Sequence, residues 1–172
     1  MARLPYADWA SPDTAPIVER IQAERGGRKL NLYAMLLHSP PLADGWRAFF
    51  TAIRQQCRLP ARYRELAILQ IAVLNRADYE FDAHVPFAVQ AGLAPAQLEA
   101  MRSGLRAADL TAADRAVLDY ATTMTRSVDV PEALFDSVRA HFDERETVEL
   151  TATIAGYNAV SRFLVALQID HE

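Results

Sequence analysis

The sequence predicts an all-α fold, and three observations support that prediction. Apolar side chains recur at intervals of three and four residues along most of the chain, as they do on the buried face of a helix. Serine, threonine and proline stand where such segments begin, and glycine stands where several of them end. Sustained alternation of apolar and polar residues, which would indicate half-buried strands, is absent.

The N-terminal third of the chain is predicted to hold three helical segments. Ser11-Pro12-Asp13 opens the first, which runs to about residue 25 and stops at a pair of glycines. A short apolar segment follows at residues 30–37 and ends in a turn signal at residues 38–41. The third segment covers residues 42–56 and places four large side chains at core spacing: Trp46, Phe49, Phe50 and Ile53.

The middle of the chain is predicted to form a pair of helices at residues 60–92. Pro60 suits the first turn of the first helix. Residues 66–74 of that helix carry a single polar side chain, so most of its circumference is expected to be buried. A short polar break separates it from the second helix, residues 78–91, which Gly92 ends.

Four further helices are predicted in the C-terminal half of the chain. Thr111 and Asp114 form a capping-box pattern at the start of one of them, with Asp in place of the usual Glu. The last helix is expected to be the longest. The four are predicted over residues 94–102, 111–126, 131–142 and 144–168.

Composition indicates one soluble globular domain over residues 1–172, with residues 1–29 as an N-terminal helical extension. The net charge is −4 and basic residues form no cluster, so neither nucleic acid nor a membrane is an expected partner. Cys57 is the only cysteine, which excludes an intramolecular disulfide. The N-terminus lacks the apolar run of a signal peptide, so a cytoplasmic location is expected.

Three ionisable residues lie among apolar ones in the helix pair. Glu80 and His84 are four residues apart and share a face of the second helix, whereas Asp78 and Asp82 lie on a different face. Glu65, near the start of the first helix, is about as far from the connecting turn as His84 is. We therefore expect Glu65, Glu80 and His84 to meet. A histidine held by two carboxylates has a raised pKa and suits a proton relay.

Structural interpretations of the same residues stay open at this point. Glu80 and His84 also fit an ordinary surface pair at helical spacing. Glu65 also fits an ion pair with Arg62 or Arg64.

Four other residues are candidates for substrate binding. Asn158 and Arg162 are four apart on the last helix and fit an anion-binding pair; the alternative is a buried arginine satisfied by Glu149 or Glu65. Tyr79 offers a hydroxyl to a pocket, although a structural tyrosine is more common. Trp46 is most simply a core residue. The remaining histidines lack a partner at ligand spacing, so no metal site is predicted.

The chain resembles the carboxymuconolactone decarboxylase and alkylhydroperoxidase D superfamily over roughly residues 31–170. The resemblance depends on an ordered set of motifs. They are Asn31, His38-Ser39-Pro40 and Trp46, then Arg64-Glu65-Leu66-Ala67-Ile68-Leu69, then Asp78-Tyr79-Glu80-Phe81 with His84, then Ala91-Gly92-Leu93, then Val148-Glu149-Leu150 leading to Gly156-Tyr157-Asn158 and Ser161-Arg162.

The resemblance implies a helical alkylhydroperoxidase D-like fold in homotrimers or homohexamers, with sites near subunit interfaces and Trp46 lining a pocket in longer members. It also implies that Glu65 is the relay glutamate and His84 the histidine of the motif. Ala77 and Glu80 occupy the two cysteine positions, so dithiol peroxide reduction is not available.

What remains resembles the decarboxylase branch, in which a lyase of aromatic compound catabolism works without a cofactor. In that interpretation Glu65, Glu80 and His84 transfer protons, and Arg162 binds the carboxylate of a small carboxylic acid or lactone. The alternatives are a non-catalytic or ligand-binding oligomer that keeps the fold, or a hydroperoxidase-type protein that has lost its dithiol.

Overall fold

Helices make up all the regular structure of the computed structural model, which describes residues 1–172. A 3₁₀ turn, Pro12–Thr14, precedes the first α-helix, and a π-helical turn, Ala52–Gln56, follows the third. In chain order the helices are α1 (Ala15–Glu24), α2 (Asn31–Leu36), α3 (Pro40–Thr51), α4 (Ala61–Asn75), α5 (Asp78–Gln90), α6 (Pro95–Arg102), α7 (Ala112–Ser127), α8 (Glu132–Arg139) and α9 (Glu144–Leu167). The predicted all-α fold is confirmed.

Two of the departures from the predicted helix ends occur at prolines. Pro40 and Pro41 were expected in the turn before α3, but they form its first turn. A proline is tolerated there because the first amide groups of a helix have no partner within the helix. Pro60 was expected inside the first turn of α4, but it lies just before the helix in an extended conformation.

The chain divides into two compact units. The first contains Met1–Gln56 and Ala166–Glu172, and the second contains Cys57–Val165. The predicted extension at residues 1–29 is therefore only part of the first unit. The prediction of a single domain over the whole chain stays a prediction.

The first unit joins the two ends of the chain through Asp170. The Asp170 carboxylate pairs with the Met1 ammonium group at 3.0 Å. It also accepts hydrogen bonds from the Ala2 amide and the Tyr6 hydroxyl. Within the same unit, Arg47 pairs with Glu24 and Asp44, which links α1 to α3. These polar contacts hold the terminal segments in place.

In the second unit, α4 packs against α5, α6 and α7. Its apolar residues Leu66, Ala67, Ile68 and Leu69 are fully buried, as expected for a helix with almost no polar face. The predicted capping box of α7 is present, with the Thr111 hydroxyl accepting from the Asp114 amide and the Asp114 carboxylate accepting from the Thr111 amide. Arg62 of α4 also donates two hydrogen bonds to Asp114.

The last helix, α9, is long and apolar enough to cross a membrane by length and composition alone. Half of its most apolar window is buried inside the protein, and it also buries Glu149 and Asn158. A core helix has both of these features, so α9 gives little reason to infer a membrane span.

Candidate active site

The turn between α4 and α5 makes the two helices neighbours and sets the depth at which their side chains meet. Arg76 adopts the left-handed conformation at the end of α4, and the Ala77 amide donates to the Ala72 carbonyl oxygen at 2.8 Å. The two helices then pack along their length. Glu65 on α4 is thereby brought opposite His84 on α5, as the spacing predicted.

Glu65, Glu80 and His84 form one hydrogen-bonded chain. His84 Nδ1 lies 2.6 Å from Glu65 Oε2, and His84 Nε2 lies 3.1 Å from Glu80 Oε1. Arg64 Nε donates to the other oxygen of Glu65 at 3.1 Å. The three residues are only 2%, 5% and 4% exposed, in that order, so the pair of Glu80 and His84 is not a surface pair.

The protonation of the chain follows from these contacts. Burial lowers the pKa of His84, but its hydrogen bonds to Glu65 and Glu80 and their negative charges raise that pKa to about 9. Burial raises the pKa of Glu65, but the contacts with His84 and Arg64 bring it below its ordinary value. At neutral pH the arrangement is therefore an imidazolium that donates one hydrogen bond to each carboxylate.

Two aromatic rings enclose His84. Tyr157 of α9 meets the imidazole edge to face, with ring centroids 5.2 Å apart, and Phe87 of α5 lies at 5.7 Å. Phe87 follows His84 by three residues and lies near it on the helix surface. The two side chains differ in burial, because Phe87 is 48% exposed and His84 is buried.

The predicted pair of Asn158 and Arg162 departs from the buried-arginine interpretation of the sequence. Asn158 is buried, and its amide nitrogen donates to Thr125 while its oxygen accepts from Asn75 and Arg162. Arg162 is exposed, and it pairs with Asn158 rather than with a core carboxylate. The expectation of a buried Arg162 satisfied by Glu149 or Glu65 is therefore wrong, because both carboxylates have other partners.

Each of the two glutamates has a set of partners of its own. Glu149 accepts from Arg145 on its own helix and from the Arg58 and Leu59 amides. Glu65 uses one oxygen for Arg64 and the other for His84.

Tyr79 and Trp46, the other two predicted binding residues, belong to different units of the protein. Tyr79 is buried on α5, and Trp46 belongs to the first unit, where its ring packs against Phe50 at 5.1 Å. Residues that sequence reasoning did not single out are Tyr157 and the exposed Phe87. Tyr157 stood inside one of the motifs, next to Gly156, but nothing in its spacing indicated a contact with His84.

The chain of carboxylates can move a proton but offers no thiol. Cys57 is the only cysteine of the sequence and has no second cysteine with which to pair. Within residues 1–172, no group of three or more His, Cys, Asp or Glu side chains is arranged to hold a metal ion. The contacts and the raised pKa of His84 fit the chemistry of acids and bases.

Comparisons with known proteins agree with this architecture. Residues 40–123 match the sequence model of the carboxymuconolactone decarboxylase family. A protein of unknown function from Agrobacterium tumefaciens is 25% identical, with a TM-score of 0.70 over 78% of this chain and 93% of that one. A comparison with curated proteins found no match.

Two further solved structures share the fold at lower identity. An alkylhydroperoxidase AhpD core, an uncharacterized peroxidase-related protein from Ralstonia eutropha JMP134, is 21% identical with a TM-score of 0.84 over 99% of this chain and 92% of that one. A cysteine-to-alanine variant of the debrominase Bmp8, in complex with 2,3,4-tribromopyrrole, is 18% identical with a TM-score of 0.80 over 100% and 94%. The chain belongs to the carboxymuconolactone decarboxylase and alkylhydroperoxidase D-like superfamily, in the branch that lacks the cysteine pair.

Proposed function

We propose that this protein is a cofactor-independent acid–base enzyme that decarboxylates, or transfers a proton on, a small carboxylic acid or lactone. The observation that carries the proposal is the buried hydrogen-bonded chain of Glu65, His84 and Glu80. Membership of a family named after a decarboxylase supports the same reaction class. A cytoplasmic site of action is part of the proposal.

Glu80 is the end of the chain that meets the substrate in this proposal. Glu65 uses both of its oxygens, whereas Glu80 uses only Oε1, for His84. The free Oε2 of Glu80 is therefore the atom best suited to exchange a proton with a substrate. The position of Glu80, where the family's thiol chemistry would place a cysteine, supports the same assignment.

The proton step balances without any added redox partner. As the carbon–carbon bond to the carboxylate breaks, carbon dioxide leaves and the electron pair stays on the substrate as an enolate. Glu80, protonated from His84 Nε2, delivers that proton to carbon, and solvent restores it to the relay. His84 suits this role because its raised pKa keeps it protonated at neutral pH, and Glu65 holds the opposite nitrogen in place.

Arg162 is the proposed ligand of the substrate carboxylate. It is exposed and uses only one terminal nitrogen, Nη1, for Asn158, which leaves Nη2 and Nε for a substrate. Tyr79 remains proposed as a residue that lines the substrate site. We propose that substrate reaches Glu80 and His84 when the exposed ring of Phe87 moves aside.

The protein is further proposed to act as a homotrimer or homohexamer. Its second unit leaves several large apolar side chains exposed, as an interface between copies would. Light scattering on the purified protein measures the oligomeric state directly. The exposed side chains are Phe87, Val89, Leu105, Val128, Phe135, Val148 and Val165.

One observation favours a second candidate, a ligand-binding or non-catalytic oligomer that keeps the fold, including one descended from a hydroperoxidase that lost its dithiol. Glu65, Glu80 and His84 are so little exposed that a purely structural ion-pair chain would have the same burial. In that case substitution of these residues changes stability or assembly but does not affect any catalytic activity.

One experiment separates the two candidate functions. The protein is incubated in D₂O with carboxymuconolactone, related lactones and small acids. Carbon dioxide release and deuterium in the product are measured for the wild type, His84→Ala and Glu80→Gln. We expect both variants to lose turnover by about a hundredfold or more while circular dichroism shows the helical fold retained. Asp119→Asn, which removes an exposed carboxylate paired with Arg106, serves as the matched control.

Unchanged turnover in both variants, on any substrate the wild type accepts, contradicts the relay. A change confined to melting temperature or oligomeric state supports the second candidate instead.

A further inference from the structure

A cavity of about 300 Å³ lies beside the turn that joins α4 to α5. It is half open to solvent and has both an apolar and a charged lining. Neither Glu80 nor His84 lines it, so it is separate from the proton relay. Its lining residues are Ala72, Val73, Arg76, Asp78, Phe81 and Arg102.

The backbone of Arg76 is the most unusual feature of this cavity. Arg76 has φ 56° and ψ 41°, the left-handed conformation that glycine adopts at little cost and other residues adopt at a cost. The turn has the hydrogen bonds of a Schellman motif, with the Ala77 amide donating to the Ala72 oxygen and the Arg76 amide donating to the Val73 oxygen.

The ends of α5 and α6 provide an internal comparison for this turn. Both show the same pair of hydrogen bonds and a left-handed residue at the same position. In both cases that residue is a glycine, Gly92 with φ 88° and Gly104 with φ 70°. An arginine thus stands at the left-handed position of this turn, and its side chain lines the cavity.

The two arginines of the cavity differ in their partners. Arg102 pairs with Asp82 at 2.5 Å, and its guanidinium carbon lies 4.2 Å from the centre of the Phe81 ring. Its charge is therefore largely neutralised, and it covers one side of the apolar floor. Arg76 forms no ion pair with a carboxylate, and Asp78 forms no ion pair with a cation.

We propose that this cavity binds a small aromatic 2-hydroxy acid. Arg76 pairs with the carboxylate in a forked hydrogen bond, which is the geometry that a guanidinium matches best. Because Phe81 is buried beneath Arg102, the aromatic body of the ligand packs on Val73, and Asp78 accepts a hydrogen bond from the hydroxyl. The volume lies at the small end of ligand pockets, which favours a small ligand.

The test adds mandelate as the probe to the whole chain. Binding is measured by calorimetry and by the NMR shifts of the residues that line the cavity. We expect saturable binding that shifts the signals of Phe81 and Arg76. Arg76→Gly should weaken that binding about tenfold or more. It should also raise the melting temperature by about 2–4 °C, because glycine relieves the left-handed position.

Two controls accompany this variant. Arg106→Gln, which removes an exposed arginine elsewhere, should bind mandelate like the wild type. Mandelamide, which lacks the carboxylate charge, should bind much more weakly than mandelate.

Three results overturn the proposal: no saturable shift at the cavity, equal mandelate affinity in Arg76→Gly and the wild type, or a lowered melting temperature in Arg76→Gly. Equal affinity in Glu80→Gln and the wild type is expected, since Glu80 does not line the cavity. The site and the proton relay can therefore fail independently of each other.

Discussion

Two buried carboxylates, Glu65 of α4 and Asp114 of α7, differ in their partners. The partner decides whether each carboxylate can take part in proton transfer. Asp114 is fully buried and accepts two hydrogen bonds of 2.9 Å from Arg62, together with one from the Thr111 amide. Glu65 is almost as buried, and its shortest contact is with His84. Burial raises the pKa of each carboxyl, and the partners bring each one below its ordinary value.

The difference between the two lies in the partner. An arginine keeps its proton at any pH the fold survives, so the pair of Arg62 and Asp114 can only hold α7 against α4. A histidine with a pKa of about 9 can release and regain its proton, so the contact between Glu65 and His84 can take part in chemistry. Burial and ion pairing alone therefore do not mark an active site; a titratable partner is needed as well.

The largest expected effect distinguishes two arginines that lie two residues apart on α4. Arg62→Met leaves Asp114 buried without its main partner and should lower the free energy of unfolding by about 3 kcal/mol. Arg64→Met leaves Glu65 with His84 and should cost about 1 kcal/mol. Urea denaturation of both variants measures the difference.

Equal costs for the two substitutions would show that the carboxylates depend on arginine to the same degree. The contrast between a structural pair and a proton-transfer pair would then be lost.

The second prediction concerns pH. His84 has a pKa raised from 6.5 to about 9, so its contribution to stability is complete below pH 6.5 and is lost as the pH rises through 9. The free energy of unfolding should fall on the order of 2–3 kcal/mol across that interval. Thermal and urea unfolding at several pH values, compared with His84→Gln, isolates this contribution.

The two carboxylates act at the opposite end of the pH scale. The pKa values of Glu65 and Asp114 are lowered from 4.5 and 3.8, so their contributions are present above those values and lost as the pH falls below them. Arg62→Met should therefore keep the alkaline slope, whereas His84→Gln should abolish it. An alkaline slope that survives in His84→Gln assigns it to another group.

The smallest effect on stability is expected at Phe87, the exposed ring over His84. Phe87→Ala should cost less than about 1 kcal/mol, because the ring is nearly half exposed. It should nevertheless let diethyl pyrocarbonate modify His84 several times faster, as followed by mass spectrometry of the peptide.

Phe135→Ala is the matched control for that prediction, because Phe135 is an exposed ring on α8 that does not contact His84. Equal rates of His84 modification in the two variants would mean that Phe87 does not control access.

Much of the fold was predictable because its signals are local. The capping box at Thr111 and the glycine at position 92 each specify a helix end through residues a few positions away. The prolines at 40 and 41 were misassigned because the same residue marks both a turn and the first turn of a helix.

The core of the site was predictable for a similar reason. The spacing of Glu80 and His84 and the depth of Glu65 follow from helical geometry and one short turn. The pairing of Asp114 with Arg62 was not predictable, because it joins residues far apart in the chain. The exposure of Phe87 was not predictable either. An apolar residue at the border of a buried helix face can be buried or exposed to solvent.

The most direct test of the central claim is a pH titration of His84 followed by the ¹⁵N resonances of its imidazole. We predict that both ring nitrogens carry protons at pH 7 and that the transition occurs near pH 9 in the wild type. In Glu80→Gln the transition should move to lower pH. A neutral imidazole at pH 7, with its transition at or below pH 6.5, would contradict the proton relay.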